Sequence, residues 1–222
     1  MSEPTLVIGN KNHSSWSLRP WLLLRHLQIA FTEVRIPLYA PDSAERIRAH
    51  SPSGKVPLLR DGANVIWDSL AICEYVAERF PDRHAWPADP AVRAVARSVS
   101  AEMHSGFGAL RNALPMNCRA SGRRVLPTED VRADIARIQD IWRACRHELG
   151  QGGPWLFGRF SIADAMFAPV AYRFATYGVE CDATARAWMN AIFALPEIQE
   201  WTAAAHAETE VLEQFEVGRA GD

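Results

Sequence analysis

The rhythm of apolar positions changes partway along the chain. Up to about residue 80, short apolar runs alternate with helical stripes. Leu6–Ile8, Phe31–Ile36, Val56–Leu59 and Val65–Ile66 read as strands, and residues 17–28 and 69–80 read as helices. The second of these helices carries Leu70, Cys73, Val76, Ala77 and Phe80 at helical spacing, which places them on one face. A β-α-β opening followed by two strands and a helix is an α/β pattern. Pro81-Asp82, Pro87 and Pro90 then punctuate the chain and mark a boundary.

Beyond residue 90 strand signals nearly vanish, and helices are predicted at 90–113, 128–149, 161–175, 183–194 and 197–206. Thr128 is a capping residue with Glu129 and Asp130 in the first turn behind it. Ser161-Ile162-Ala163-Asp164 has capping-box spacing, with aspartate in place of the commoner glutamate. Pro115 and the polar run 117–126 end the first of these helices. The expected organisation is a small α/β domain over 1–83 followed by an all-helical domain over 91–222.

Composition narrows the class. Hydrophobic residues make up 48% of 222, enough for a sizeable core and against wholesale disorder. Basic and acidic residues number 24 and 26, and the one basic cluster, Arg119 to Arg124, is short, so neither a nucleic-acid nor a membrane partner is expected. No apolar run approaches a membrane span. The start, Met1-Ser2-Glu3-Pro4, lacks the basic and then apolar run of a signal peptide. Cys73, Cys118, Cys145 and Cys181 are widely spaced and read as free thiols, and the histidines show no metal-ligand spacing. A cytosolic, reduced, metal-free protein is the expectation.

The candidate chemistry lies in three short segments. In Ser14-Ser15-Trp16-Ser17, a proline three residues on, Pro20, is tolerated within a first helical turn. That places the N-cap at Trp16 or later, with Ser17 the better capper and Ser14 and Ser15 in the loop before it. Serines before a helix are caps, and the same geometry suits an anionic sulfur. A free thiol has a pKa of ~8.5, and a helix N-terminus with a positioned donor lowers it. A shift of about two units requires ~2.7 kcal/mol. A hydrogen bond to a charged group gives ~1.5–3 kcal/mol and the helix end adds ~0.3–1. One serine hydroxyl plus the helix end is therefore sufficient, with the serine as donor to a thiolate and not as a nucleophile. No cysteine lies near this helix, which argues against a glutaredoxin-like disulfide mechanism.

The second segment is Gly54-Lys55-Val56-Pro57, where the proline belongs at the start of a strand because it removes a ladder donor. Lys55 is either a solvated charge or a carboxylate binder. The third is Asp68-Ser69, which caps the helix that follows or holds a ligand there, the helix N–H groups taking a carboxylate and the aspartate an ammonium.

Together, in this order, these segments resemble the cytosolic glutathione S-transferases, and the similarity covers essentially the whole chain. The pattern Ser14-Ser15-x-Ser17-x-Arg19 is most similar to the serine-type, zeta-like branch. Trp16 stands where that branch has cysteine, which weighs against zeta-type isomerase chemistry and offers the second substrate an aromatic wall. Pro154-Trp155-Leu156-Phe157-Gly158 with Ser161–Asp164 resembles the family's helical-domain signature. The resemblance implies a thioredoxin-like N-terminal domain and an all-α C-terminal domain. It implies a cis bond at Pro57, with the Val56 backbone pairing the cysteinyl part of glutathione. Asp68 and Ser69 would take the γ-glutamyl end, Lys55 the glycyl carboxylate, and Ser14 or Ser15 the thiolate. It also places the second substrate between the serine loop and the first helices of the helical domain, making Trp16, His104, Phe107, Arg111 and Met116 the expected pocket residues. Gly106 and Gly108 fall inside the predicted helix 90–113, at up to ~1 kcal/mol each relative to alanine, which is read as close packing, room for a ligand or, equally, loose packing.

The implied activity is conjugation of glutathione, a cosubstrate, to a small electrophile, by a homodimer without a metal. The alternatives are a glutathione-dependent isomerase of the maleylacetoacetate type, or a lyase, and a non-catalytic glutathione-binding stress or interaction module.

Overall fold

The computed structural model describes residues 3–219. Met1 and Ser2, part of the start from which no signal peptide is expected, lie outside the described residues, as does the end of the helical segment, 220–222.

The chain opens with β1 (Thr5–Ile8), α1 (Ser15–His26) and β2 (Thr32–Arg35), and β1 and β2 pair in parallel with Leu6 opposite Glu33. α2 (Ser43–His50) follows, then β3 (Leu58–Asp61) and β4 (Asn64–Ile66) as an antiparallel pair, with β3 also antiparallel to β1. The sheet order is β2-β1-β3-β4. Side chains of a strand alternate between faces, and β1 is apolar on both. Leu6 and Ile8, with Leu59 of β3, join the large core under α1 and α3 (Ser69–Arg79). Val7 and Leu58 point the other way and pack with Ile36 and Ile47 of α2 in a smaller cluster.

The helical half comprises α4 (Pro90–Ser105), α5 (Gly108–Ala113), α6 (Glu129–Ala144), α7 (Ile162–Tyr177), α8 (Ala183–Phe193) and α9 (Pro196–Ala207), and a single π-helical turn extends α6 over Cys145–Leu149. α7 is apolar almost all round, which requires burial on every side. It packs on α1, α4 and α8, so one continuous core runs through both halves.

Four elements differ from expectation. The strand expected over Val56–Leu59 is β3, which starts two residues later at Leu58, after the cis Val56–Pro57 bond. α1 starts at Ser15, two residues early, because the Ser14 carbonyl already accepts from Ser17 N and Leu18 N. Ser14 is thus the N-cap, Ser15 is the first helical residue, and Pro20 lies inside the helix. The segment 90–113 is two helices: Gly106 ends α4, and a Cβ there would sit 2.7 Å from the Glu102 carbonyl oxygen, while Phe107 takes a left-handed φ of 59°. The two glycines therefore flank a helix break. α2 was not expected, because only Ser43 and Ile47 of its eight residues are buried and the stripe is too thin to read.

α7 is anchored by Asp164. Its Oδ1 accepts from Leu156 N at 3.0 Å and Trp188 Nε1 at 2.9 Å, and its Oδ2 from Ser161 N at 3.0 Å and Ser161 Oγ at 3.1 Å. This is the capping box, extended to a loop and to α8. Burial pushes the Asp164 carboxyl up to about 6 against the pull of these donors, so it is ionised at neutral pH. Asp164→Ala strands these donors in the interior, and we expect it to lower the free energy of urea unfolding by roughly 3–5 kcal/mol. A loss below about 1 kcal/mol would show that the box does not anchor α7.

Candidate active site

The loop between β1 and α1 is polar and buried. Asn10, Lys11, Asn12, His13, Ser14 and Ser15 are each 8% exposed or less. Buried polar groups need partners, and these come from distant segments. The loop's Lys11 N and Asn12 N donate to the two carboxylate oxygens of Glu208 at 2.6 and 3.1 Å. Asn12 Oδ1 accepts from Arg119 N, Asn10 Oδ1 from Leu38 N, and the Trp201 indole donates to the Lys11 carbonyl. Lys11 pairs with Glu33 at 2.9 Å and lies over the ring of Trp21. Arg119 also donates to the Glu208 and Glu210 carbonyls and Arg123 pairs with Glu216, so residues of the basic cluster hold the C-terminal segment in place.

The two candidate serines have different surroundings. Ser14 Oγ donates to Ser17 Oγ at 2.7 Å, and Ser17 Oγ also accepts from Gly9 N. Ser15 Oγ accepts from Arg173 Nη2 at 3.3 Å, and its own proton has no acceptor among the described residues. Trp16 lies beside two guanidiniums, Arg19 at 4.4 Å and Arg111 at 5.0 Å from the ring centre, and meets His104 edge-on.

A cavity of about 450 Å³ is lined by Trp16, Ser53, Lys55, Val56, Pro57, Trp67, Asp68 and Ser69. The bonds Val56–Pro57 and Trp67–Asp68 are both cis. Asp68 caps α3 through Oδ1, which accepts from Leu70 N and Ala71 N, and its Oδ2 meets His104 Nε2 at 2.9 Å. Ser69 Oγ accepts from Arg19 Nη1 at 3.5 Å. Six of the expected residues thus share one cavity, and His104 and Arg111 adjoin it through Asp68 and Trp16. Ser14 and Ser15 do not line it, though each keeps a small exposed fraction. Phe107 and Met116 are packed in the hydrophobic core instead, and Met116 offers only its carbonyl, to His13 Nδ1. A second cavity, of about 500 Å³ between residues 84–92 and 149–161, lies apart from these groups. Among the described residues no cluster of His, Cys, Asp or Glu can hold a metal ion, and no helix is long and apolar enough to cross a membrane.

Residues 13–79 match the family model "Glutathione S-transferase, N-terminal domain" and residues 128–204 match "Glutathione S-transferase, C-terminal domain", together well over half of the chain. The chain belongs to the glutathione S-transferase family. It is 33% identical over 110 residues to a probable maleylacetoacetate isomerase of Caenorhabditis elegans, covering 50% of each chain. It is 33% identical over 141 residues to a maleylacetoacetate isomerase of Pseudomonas aeruginosa, covering 62% of this chain and 65% of that one. The matches thus span half to just under two thirds of these relatives' length. Among solved structures, a glutathione transferase homologue from Burkholderia GL BGR1 with bound glutathione superposes with a TM-score of 0.72 at 21% identity, covering 93% of this chain and 100% of that one. The fold is therefore the family's, a thioredoxin-like sheet-and-helix domain followed by a helical one.

Trp67, Ser53 and Arg173 were not singled out in the sequence. Trp67 is 46% exposed at the cavity wall, and its signal was an aromatic directly before the acid-serine pair. The signal for Arg173 was a charge, the second after Asp164, within an otherwise apolar helix, since a buried charge needs a reason.

His104 titrates below an ordinary histidine, because burial and the charges of Arg19 and Arg111 outweigh the attraction of Asp68. As pH falls through ~6.5 the unfolded chain takes up a proton that folded His104 refuses, so stability is lost on acidification. We expect the stability of wild type relative to His104→Gln to decline between about pH 7 and 5, measured by urea unfolding. A relative stability that rises over this range would mean that the Asp68 contact dominates.

Proposed function

We propose that this family member binds glutathione in the 450 Å³ cavity, holds it as a thiolate, and adds its sulfur to a small electrophilic carbon. The observation that carries this reading is the gathering of Lys55, Val56, Pro57, Asp68 and Ser69 around one cavity at the starts of β3 and α3, with Trp16 of α1 on its wall. In this reading the Val56 backbone pairs with the cysteinyl unit, ahead of the β3 ladder that begins at Leu58. Ser69 and the first N–H groups of α3 take the γ-glutamyl carboxylate. Asp68 takes the ammonium and shares its Oδ2 with His104, while Lys55, exposed at the rim, faces the glycyl carboxylate. Ser15 is the thiolate donor, because Ser14 already gives its proton to Ser17. The thiol proton leaves to solvent on binding. The sulfur then forms a bond to carbon, and the displaced electron pair departs with a leaving group or moves onto a conjugated carbonyl that water protonates.

Isomerisation is the second reading, and the names of the two relatives favour it. There glutathione adds and is expelled again, so it is not consumed. Domains over 1–83 and 91–222 belong to either reading, supported by two separate domain models, and so does a homodimer. A cytoplasmic location also belongs to it, supported by four free cysteines.

The test is an ultraviolet titration of bound glutathione in wild type, Ser14→Ala and Ser15→Ala. We expect thiolate absorbance to appear below neutral pH in wild type and Ser14→Ala, and only about two units higher in Ser15→Ala. Glutathione that binds yet titrates as in water would overturn the activation reading and leave a binding module. Thiol counting during turnover of an electrophile panel and of maleylacetoacetate then separates conjugation, which consumes glutathione, from isomerisation.

A further inference from the structure

Arg173 projects from α7 one turn before its C-terminal end and is 6% exposed. One of its terminal nitrogens, Nη1, donates to the carbonyls of Arg111 and Leu114 at the end of α5, and the other, Nη2, donates to Ser15 Oγ at 3.3 Å. The titratable groups that face it are Arg111 from α5, Arg19 from α1, Tyr177 from its own helix and Cys118 from the segment after α5, and it forms no carboxylate ion pair among the described residues. Burial and the Arg111 charge push the guanidinium down to about 10, so it remains a cation at neutral pH.

A buried cation held only by dipoles leaves a net positive field, and here that field falls on a hydroxyl whose proton is uncommitted. A donor bonded to the oxygen of a hydroxyl polarises the O–H bond and strengthens its donation to the next acceptor. We propose that Arg173 is a positioning residue for thiol activation: from the helical domain it orients and polarises the Ser15 hydroxyl toward the glutathione thiolate. This rests on the assignment of Ser15 as thiolate donor. Its consequence is that the second domain takes part in activating the first substrate as well as in shaping the pocket for the second.

The test compares the thiol pKa of bound glutathione in wild type, Ser15→Ala, Arg173→Lys, Arg173→Gln and the double variant Ser15→Ala/Arg173→Gln. Arg173→Gln is expected to raise that pKa by about one unit or more, and Arg173→Lys by less. In the Ser15→Ala background the Arg173 change should add almost nothing, because the effect passes through that hydroxyl. Affinity for S-methylglutathione, which has no ionisable thiol, should be unchanged. An unmoved thiol pKa in Arg173→Gln overturns the proposal while leaving Ser15 activation intact. A wild-type thiol that titrates as in water overturns both. Should Arg173→Gln fail to fold, nitrogen-labelled arginine in wild type gives a second readout. The Arg173 side-chain resonance should shift more on binding glutathione than S-methylglutathione, and equal shifts would count against the proposal.

Discussion

Glu208 accepts the backbone N–H groups of Lys11 and Asn12, one on each carboxylate oxygen, and is itself reached by Arg35 Nη1 at 3.3 Å. Those two amides lie in a loop with almost no access to water, where each would cost ~1–3 kcal/mol if left unpaired. The loop cannot collapse into a tighter turn, because Leu38, Arg119 and Trp201 hold Asn10, Asn12 and the Lys11 carbonyl in other directions. The loop leads directly into Ser14 and Ser15. A segment more than 190 residues away in sequence thus sets where the first turn of α1 points its hydroxyls. The serine site is a tertiary construction although its residues are adjacent in the chain.

The same seam carries the other contacts that matter. α1 lies against α7, so residues at its start face both the sheet domain and the helical one. Trp16 meets Arg19 from its own helix, Arg111 from α5 and His104 from α4. Asp68 caps α3 with one oxygen and meets His104 with the other. On the proposed reading, a ligand ammonium arriving at Asp68 would compete with His104 for that second oxygen, which would link occupation of the cavity to contact between the domains.

What could be read from the sequence was what local chemistry dictates. The strands β1 and β2, the helix α3 and most of the helical half follow from apolar spacing. Asp68 and Thr128 cap α3 and α6 as their types require. The cavity residues Lys55 to Pro57 and Asp68-Ser69 were legible because each stands at or just before the start of an element, where backbone groups are not yet committed to its ladder or helix. The errors share a cause in tertiary context. Pro20 pointed to a later helix start, yet the Ser14 carbonyl captures the first turn and the proline is tolerated deeper in. Gly106 and Phe107 made a break that periodicity reads straight through. Phe107 and Met116, expected in the pocket, turn into the core. Arg173, some 158 residues from Ser15, carries no local signal of the hydroxyl it reaches.

The arginines around the site donate their hydrogen bonds to carbonyl and hydroxyl oxygens, with Asp68 and Asp134 acting on Arg19 and Arg111 only through space. Arg111 donates to the Met103 and His104 carbonyls in the last turn of α4, and Arg173 to the Arg111 and Leu114 carbonyls at the end of α5. Arg19 donates to the Met166 carbonyl within α7. Helix C-termini carry about half a negative charge, so those of α4 and α5 satisfy the Arg111 and Arg173 N–H groups while leaving each cation's charge only partly offset. A buried carboxylate in their place would give stronger local pairing and a large penalty if either partner were lost. It would also cancel the positive potential at α1. Dipoles stabilise these cations and preserve that potential, and a potential fixed in place before ligand arrives needs no rearrangement when a thiolate forms. On the proposed reading, the choice of carbonyls over carboxylates is what would suit the start of α1 to an anion and make it more than a well-capped helix.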